Sequence, residues 1–263
     1  MSKFISLMKY EAKTIIRDPI NLYMSVFPLI ILAMASFVFP MIIESIDPAD
    51  QATKQIIMLL LLIITVAIGS YFLAAMATFL LIENKDECTL NTIAVTPIGM
   101  SGYVKFKMTY IYVMTVISNI VILLGTKLIA GDKYAIGGIS LFDNIGLIEI
   151  IAFSIVSSLF IPSLALLQGS LAKNKVEGFA YIKGTGIIAL IPAIMILEGL
   201  QGGMQYLLGV FPNFWAIKGI MLQLLPMSNR ANLSFPLYLL IGAIYNIVLL
   251  FFAYRMFKNK VQY

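Results

Sequence analysis

The sequence predicts an all-α integral membrane protein with six transmembrane helices, and three observations predict it. Hydrophobic residues make up 60% of the 263 and charged ones 12%, against roughly 45–50% and 25% in soluble globular domains. A mean hydropathy of +0.96 leaves too little polar surface to cover a water-soluble particle of this size. Six apolar runs reach the roughly 20 residues that a helix needs to cross a hydrocarbon core of about 30 Å, and the short alternation of a membrane barrel is absent. With no histidine and the single Cys88, a histidine-ligated metal site, a Cys/His nucleophile pair and an internal disulfide are excluded. No catalytic and no metal-ligating residues are assigned.

The elements follow in order along one transmembrane domain, 1–263. In the lead-in, residues 1–19, Phe4, Ile5, Met8, Ala12, Ile15 and Ile16 recur at helical spacing, and Lys3, Ser6, Lys9, Lys13 and Arg17 take the other side. That pattern fits an amphipathic helix lying on an anionic leaflet; a solvated helix packed on a soluble partner is the alternative. The charges at Lys9, Glu11, Lys13 and Arg17 are the wrong layout for a cleaved signal peptide. Asp18-Pro19 ends the helix, because the residue before proline is pushed out of the helical region. Spans are predicted near 20–43, 56–82, 106–130, 146–172, 178–200 and 235–257. Residues 83–105 form a polar loop. Residues 201–234 are unusually apolar for one: 206–210 and 214–225 read as two short helices broken at Phe211-Pro212-Asn213, each too short to span. A dipping or interfacial helical hairpin before the last span fits them, since irregular backbone at membrane depth must be buried or line a cavity.

Orientation follows from the basic residues. Lys3, Lys9, Lys13, Arg17, Lys85, Lys105, Lys107, Lys173, Lys175, Lys183, Arg255, Lys258 and Lys260 fall on one side; Lys54, Lys127, Lys133, Lys218 and Arg230 fall on the other. Both termini are therefore expected in the cytoplasm of a multi-pass plasma-membrane protein, and an even number of spans requires them on one side. The net charge of +5 is explained by this asymmetry rather than by a nucleic-acid partner.

Every Asp and Glu falls in a loop or near a span end, which weakens an ion-coupled proton relay. The span centres hold neutral groups such as Ser36, Thr65, Ser70, Thr115, Ser118, Asn119, Ser157, Ser158 and Asn246, suited to interhelical hydrogen bonds. A sodium site at carbonyls freed by Pro162 and Pro192 stays open. No Gly-x-x-x-x-Gly-Lys-Ser/Thr phosphate loop occurs, so energy for any pumping must arrive from another polypeptide. Three classes remain: an exporter permease, an ion-coupled carrier or channel, and a membrane-embedded enzyme or assembly factor.

The loop decides between them. Leu90, Ile93 and Ala94 fall at i, i+3, i+4 and give a short helix one apolar face, and the acidic residues before it suit its positive N-terminal end. On these residues alone, a docking knob for a protein partner and a solvated turn are equal readings. The order of residues resembles the signature of ABC-type exporter permeases, the six-helix "type 2" membrane subunits: Glu83, Glu87, Thr89, Leu90, Thr96 and Pro97 stand in matching places, with Cys88 where the family usually has glycine. The helix ending at Arg17-Asp18-Pro19 is similar to the family's connecting helix, and 204–226 to its extracellular hairpin.

The resemblance implies the membrane half of an ATP-driven exporter: two permeases, identical or paired with a sister chain, set among membrane lipids on two ABC-type ATPase subunits. The permease itself would be no enzyme and bind no cofactor, ATP and Mg residing on the partner. It implies ATPase coupling through Glu83, Asp86, Glu87, Thr89, Leu90, Thr96 and Pro97. It also points to a cargo pathway along the second and fifth spans, with Tyr71, Phe72, Met76, Phe79, Ile191, Pro192 and Met195 as candidates. An amphipathic or hydrophobic cargo (peptide, drug or lipid-like) fits a pathway without fixed charge.

Overall fold

The computed structural model describes the chain except for Met1, Pro48, 88–91, Ala94, Gln201, 226–231, Gln262 and Tyr263; for 2–7, Tyr10, Glu198 and Val261 it describes the backbone alone. Behind a first helix, Ser2–Arg17, stand six helices long and apolar enough to cross a membrane: Pro19–Glu44, Gln51–Asp86, Gly99–Lys133, Leu147–Leu171, Lys175–Ile196 and Phe235–Lys260, here spans 1 to 6. Each coincides with a predicted run. Spans 2 and 3 exceed prediction at 36 and 35 residues. At 1.5 Å per residue an unbroken helix of either length measures more than about 50 Å, longer than a whole bilayer of about 40–45 Å.

Four spans are interrupted, each for an identifiable reason. Span 1 contains a π-helical turn, Met34–Val38, just before Pro40, where the missing N–H and the ring's bulk break the α-helical ladder. Span 2 breaks at Ser70, directly after Gly69, a Gly/Ser kink. Span 4 breaks at Leu159, between Leu147–Ser158 and Phe160–Leu171, because Pro162 crowds the carbonyl of Ser158 four residues back. Span 5 turns from α to 3-10 geometry at Leu190, ahead of Pro192. Span 3 holds no proline and runs as one helix over Gly99–Ala130.

These breaks separate two apolar cores. One packs Phe39, Ile43, Met58, Leu62, Phe153 and Phe214; the other packs Leu73, Met76, Leu80, Ile111, Leu164 and Phe257. Spans 2 and 4 are the most buried and the other four surround them. Because lipid tails are as apolar as these side chains, close packing and interhelical hydrogen bonds hold the bundle rather than water exclusion. Asn119 is one such link: its Nδ2 donates to Ser157 Oγ and Ser158 Oγ, 3.1 Å each, fastening span 3 beside the break in span 4.

The π-turn has a consequence at the rim farther from the chain ends. Phe39 N–H reaches back to Met34 O, and Pro40 has no N–H, so the Ala35 carbonyl loses both helical donors. Tyr134, fully buried, supplies one: its hydroxyl donates to Ala35 O at 2.6 Å while its ring meets Phe142 edge-on, centroids 5.6 Å apart. Tyr134 leads into a small hairpin not foreseen from the sequence, Ala135–Ile136 paired antiparallel with Ile139–Ser140. Its turn, Gly137-Gly138, has φ of +60° and +84°, the left-handed pair that a two-residue hairpin of this hand demands. Lys133 Nζ lies 2.6 Å from Glu44 Oε1 and ties span 3 to span 1 here.

Between spans 5 and 6 come a 3-10 helix, Gly202–Val210, and an α-helix, Phe214–Leu224, on either side of Pro212. Trp215 Nε1 donates to Gly209 O at 2.9 Å and closes one against the other; the α-helix packs on spans 4 and 6. Pro226 lies outside the described residues. Lys218, counted above among the outer charges, is buried in this helix.

Candidate functional site

The rim where the first helix lies and span 6 ends gathers most of the charged contacts. Asp18 starts span 1 as its N-cap, accepting from Ile20 N at 2.8 Å and Asn21 Nδ2 at 3.0 Å. The first helix has three faces rather than the predicted two. Lys9, Lys13 and Arg17 are exposed on one; Met8 and Ile16 are exposed on a second, apolar one; Glu11 and Ile15, one turn apart, are buried against the bundle. Glu11 Oε1 meets Lys107 Nζ of span 3 at 3.3 Å, and both side chains are only 3% exposed. Lys107 also donates to Tyr103 Oη at 3.1 Å and lies 3.4 Å from Leu80 O of span 2, and Asn84 Nδ2 donates to Tyr103 Oη at 3.2 Å. One buried cation therefore joins the first helix to the ends of spans 2 and 3. A polar residue on an otherwise apolar face was the available signal for Glu11; its partner, 96 positions on, carried none.

Of the seven coupling candidates, Thr89 and Leu90 lie outside the described residues, as does Cys88. Glu83 turns sideways and pairs with Lys175 of span 5 at 2.9 Å. Asp86 and Glu87 are exposed at the end of span 2. Thr96 holds a turn together: its N–H and Oγ1 both donate to Ile93 O, at 3.0 and 2.7 Å. Gly99 N–H then donates to Thr96 O at 3.0 Å, with Gly99 at φ +62°, a conformation that only glycine adopts without cost. The result presents Val95, 86% exposed, with Pro97 and Ile98 away from the bundle. Behind this turn a cavity of about 780 Å³ is lined by Glu11, Glu83, Glu87, Pro97, Tyr103 and Lys107. Lys85 was counted above only for orientation. Its Nζ donates to Gly169 O and Ala172 O at 2.9 and 2.8 Å, a cation at the negative C-terminal end of span 4.

The seven pathway candidates are distributed over both cores. Tyr71 Oη donates to Ile182 O and bonds Thr185 Oγ1 at 2.8 Å, tying span 2 to span 5. Phe72 stacks on Phe27 of span 1, and Met76 is fully buried among its own spans. Phe79 faces Phe179 of span 5, centroids 6.4 Å apart, in a groove of about 410 Å³. Ile191, Pro192 and Met195 lie beyond the break in span 5, Ile191 and Met195 packing into the other core. Lys183, counted above on the cytoplasmic side, stands two turns up span 5 with its Nζ 4.5 Å from the centre of the Phe179 ring. Among the described residues no cluster of His, Cys, Asp and Glu has metal-binding composition.

A model of the fluoroquinolones export permease protein Rv2686c-like family matches residues 11–254. The chain belongs to this family. Similar relatives include the fluoroquinolones export permease proteins Rv2686c of Mycobacterium tuberculosis (strain ATCC 25618 / H37Rv) and MT2760 of Mycobacterium tuberculosis (strain CDC 1551 / Oshkosh). Each is 25% identical over 190 residues, 71% of this chain and 66% of the relative. The match thus spans just under two thirds of their length. No solved structure matches the chain. The kinship with ABC-type exporter permeases expected from the loop stands.

Within this permease, a buried polar hub escaped the sequence reading. Gln168 of span 4, 2% exposed, accepts from Thr78 Oγ1 of span 2 and donates through Nε2 to Thr185 Oγ1 of span 5, next to Tyr71. Three spans thereby meet on one amide. The intramembrane glutamine was the visible signal, since a polar side chain buried in a helix bundle must find partners.

Proposed function

We propose that this chain is the membrane-spanning permease subunit of an ATP-driven exporter, carrying an amphipathic or hydrophobic cargo out of the cell with energy from separate ABC-type ATPase subunits. Two permeases, identical or sister chains, stand on two ATPases, with both termini in the cytoplasm and ATP and Mg on the ATPases. The carrying observation is the exposed, apolar turn at Val95, Pro97 and Ile98, held in shape by the two Thr96 bonds to Ile93 O and by Gly99. An apolar knob whose backbone is already pinned suits a docking contact, because it orders little on binding. The first helix acts as the connecting helix, 83–105 as the coupling loop with Glu83, Asp86, Glu87, Thr89, Leu90, Thr96 and Pro97, and 201–234 as an outer hairpin. Hydrolysis can act on the permease only by changing the relative stability of two of its conformations. The relatives' name makes a drug-like cargo, a fluoroquinolone among them, the first to test.

Co-isolation tests the reading. A tagged permease expressed with its ATPase is expected to retain it, whereas Glu87→Ala, Leu90→Asp and Val95→Asp each lower the retained ATPase about tenfold or more, as loss of a central interface contact does, with membrane insertion unchanged. In liposomes the permease alone carries nothing uphill, and with the ATPase it does so only while ATP is hydrolysed. Full retention in all three variants, or uphill transport on an ion gradient without ATPase, overturns the proposal.

A further inference from the structure

We propose that the groove between spans 1, 2 and 5 is the first binding site for cargo, that it selects an aromatic body carrying both a cation and an anion, and that Glu83 reports its occupancy to the loop. This rests on the exporter reading and names the cargo's charge pattern. The groove, about 410 Å³, lies within the size range of small-molecule sites. Met24, Val176 and the facing rings of Phe79 and Phe179 give it an aromatic, apolar floor, and Glu83 and Lys175 stand at its polar edge. Lys183, outside the lining, holds its Nζ 4.5 Å from the centre of the Phe179 ring.

The edge supplies the selectivity. Glu83 and Lys175 are paired at 2.9 Å with side chains 25% and 52% exposed, and ion pairs this open to solvent are weak. A cargo bearing an amine and a carboxylate replaces the bridge and leaves neither charge alone. A cargo with one charge takes one partner from the bridge and puts nothing in its place for the other, so it gains less than a zwitterion does. Asp18, also on this groove, is committed to the N-terminus of span 1 through Ile20 N and Asn21 Nδ2, so Glu83 is the carboxylate free to exchange. Glu83 also lines the cavity behind the coupling turn with Glu11, Glu87, Pro97 and Lys107. Drawing it toward cargo removes a negative charge from that cavity, and so the loop senses a filled groove.

Binding to the permease in phospholipid nanodiscs tests the charge rule without any ATPase. The probes are a fluorescent fluoroquinolone with free amine and free carboxyl, its carboxyl ester, and its N-acetyl form. The zwitterion is expected to bind about tenfold tighter than either masked form, the scale of one charge-assisted hydrogen bond. Lys175→Gln erases the preference for acid over ester, Glu83→Gln erases that for amine over acetyl, and the exchanged pair E83K/K175E restores both. Equal binding of the three probes by the wild type, or variants that lose all three equally, overturns the site. With the ATPase present, stimulation of hydrolysis at saturating probe is expected to survive in Lys175→Gln and vanish in Glu83→Gln; stimulation kept in both removes the reporting role. Absence of ATP-driven export would defeat the exporter reading while leaving the binding result standing, and export with indifferent binding would do the reverse.

Discussion

Glu11→Ala and Lys107→Met are each expected to destabilise the folded permease by about 3–5 kcal/mol, because each leaves its partner's charge buried and unpaired. Both side chains are 3% exposed, so bulk solvent screens a charge left alone there far less than it would at the surface. The double variant Glu11→Leu with Lys107→Met is expected to recover most of the loss, since removing both charges removes the desolvation penalty with them. Thermal unfolding of the three variants in detergent measures this as a double-mutant cycle. Single variants as stable as the wild type would mean that the first helix is not held by this pair. If it is held, the singles also lower ATPase retention, because the first helix, the connecting helix of the proposed assembly, is released.

Tyr134→Ala is expected to cost about 3–5 kcal/mol, the range for deleting a large aromatic side chain from a core. Tyr134→Phe separates the ring from the hydroxyl. It keeps the contact with Phe142 but strands the Ala35 carbonyl in the π-turn of span 1, at a cost of about 1–3 kcal/mol for an unsatisfied buried acceptor. Reverting the cause offers a check: with Pro40→Ala the α-helical ladder can close through residue 40, and Tyr134→Phe becomes nearly neutral on that background. A full Tyr134→Phe penalty retained in the Pro40→Ala protein would show that the hydroxyl does something other than serve the released carbonyl.

The spans were legible because a hydrocarbon slab imposes one length on every crossing helix, and that length is written directly in the apolar runs. The proline-linked breaks in spans 4 and 5 were legible for a local reason, a missing donor at Pro162 and Pro192. The break at Ser70 was not, because Gly69-Ser70 keeps every backbone donor and neither residue ends the apolar run. The hairpin at Gly137-Gly138 passed unnoticed because its strands are only two residues each. Polarity alone sorted the first helix into two faces and put Glu11 on neither; its burial depends on Lys107, which only the fold brings near. The loop motif drew attention to 83–105, yet Glu83 spends its carboxylate on Lys175, a contact between spans that no motif encodes. Gln168 shows the same limit: its presence in span 4 was plain, its three-span hub was not.

The breaks in four of the six spans give the permease an uneven stiffness. Spans 3 and 6 run as unbroken struts, while spans 1, 2, 4 and 5 have joints. Bending strain collects at joints, so a pull on the loop is expected to bend the bundle there instead of tipping the whole of it. With a lever of about ten residues, or 15 Å, a tilt of about 10° at a joint moves the near rim by roughly 2.5 Å. For the proposed exporter, joints of this kind favour a cycle in which the two halves of the bundle move in turn over one that opens a continuous tube.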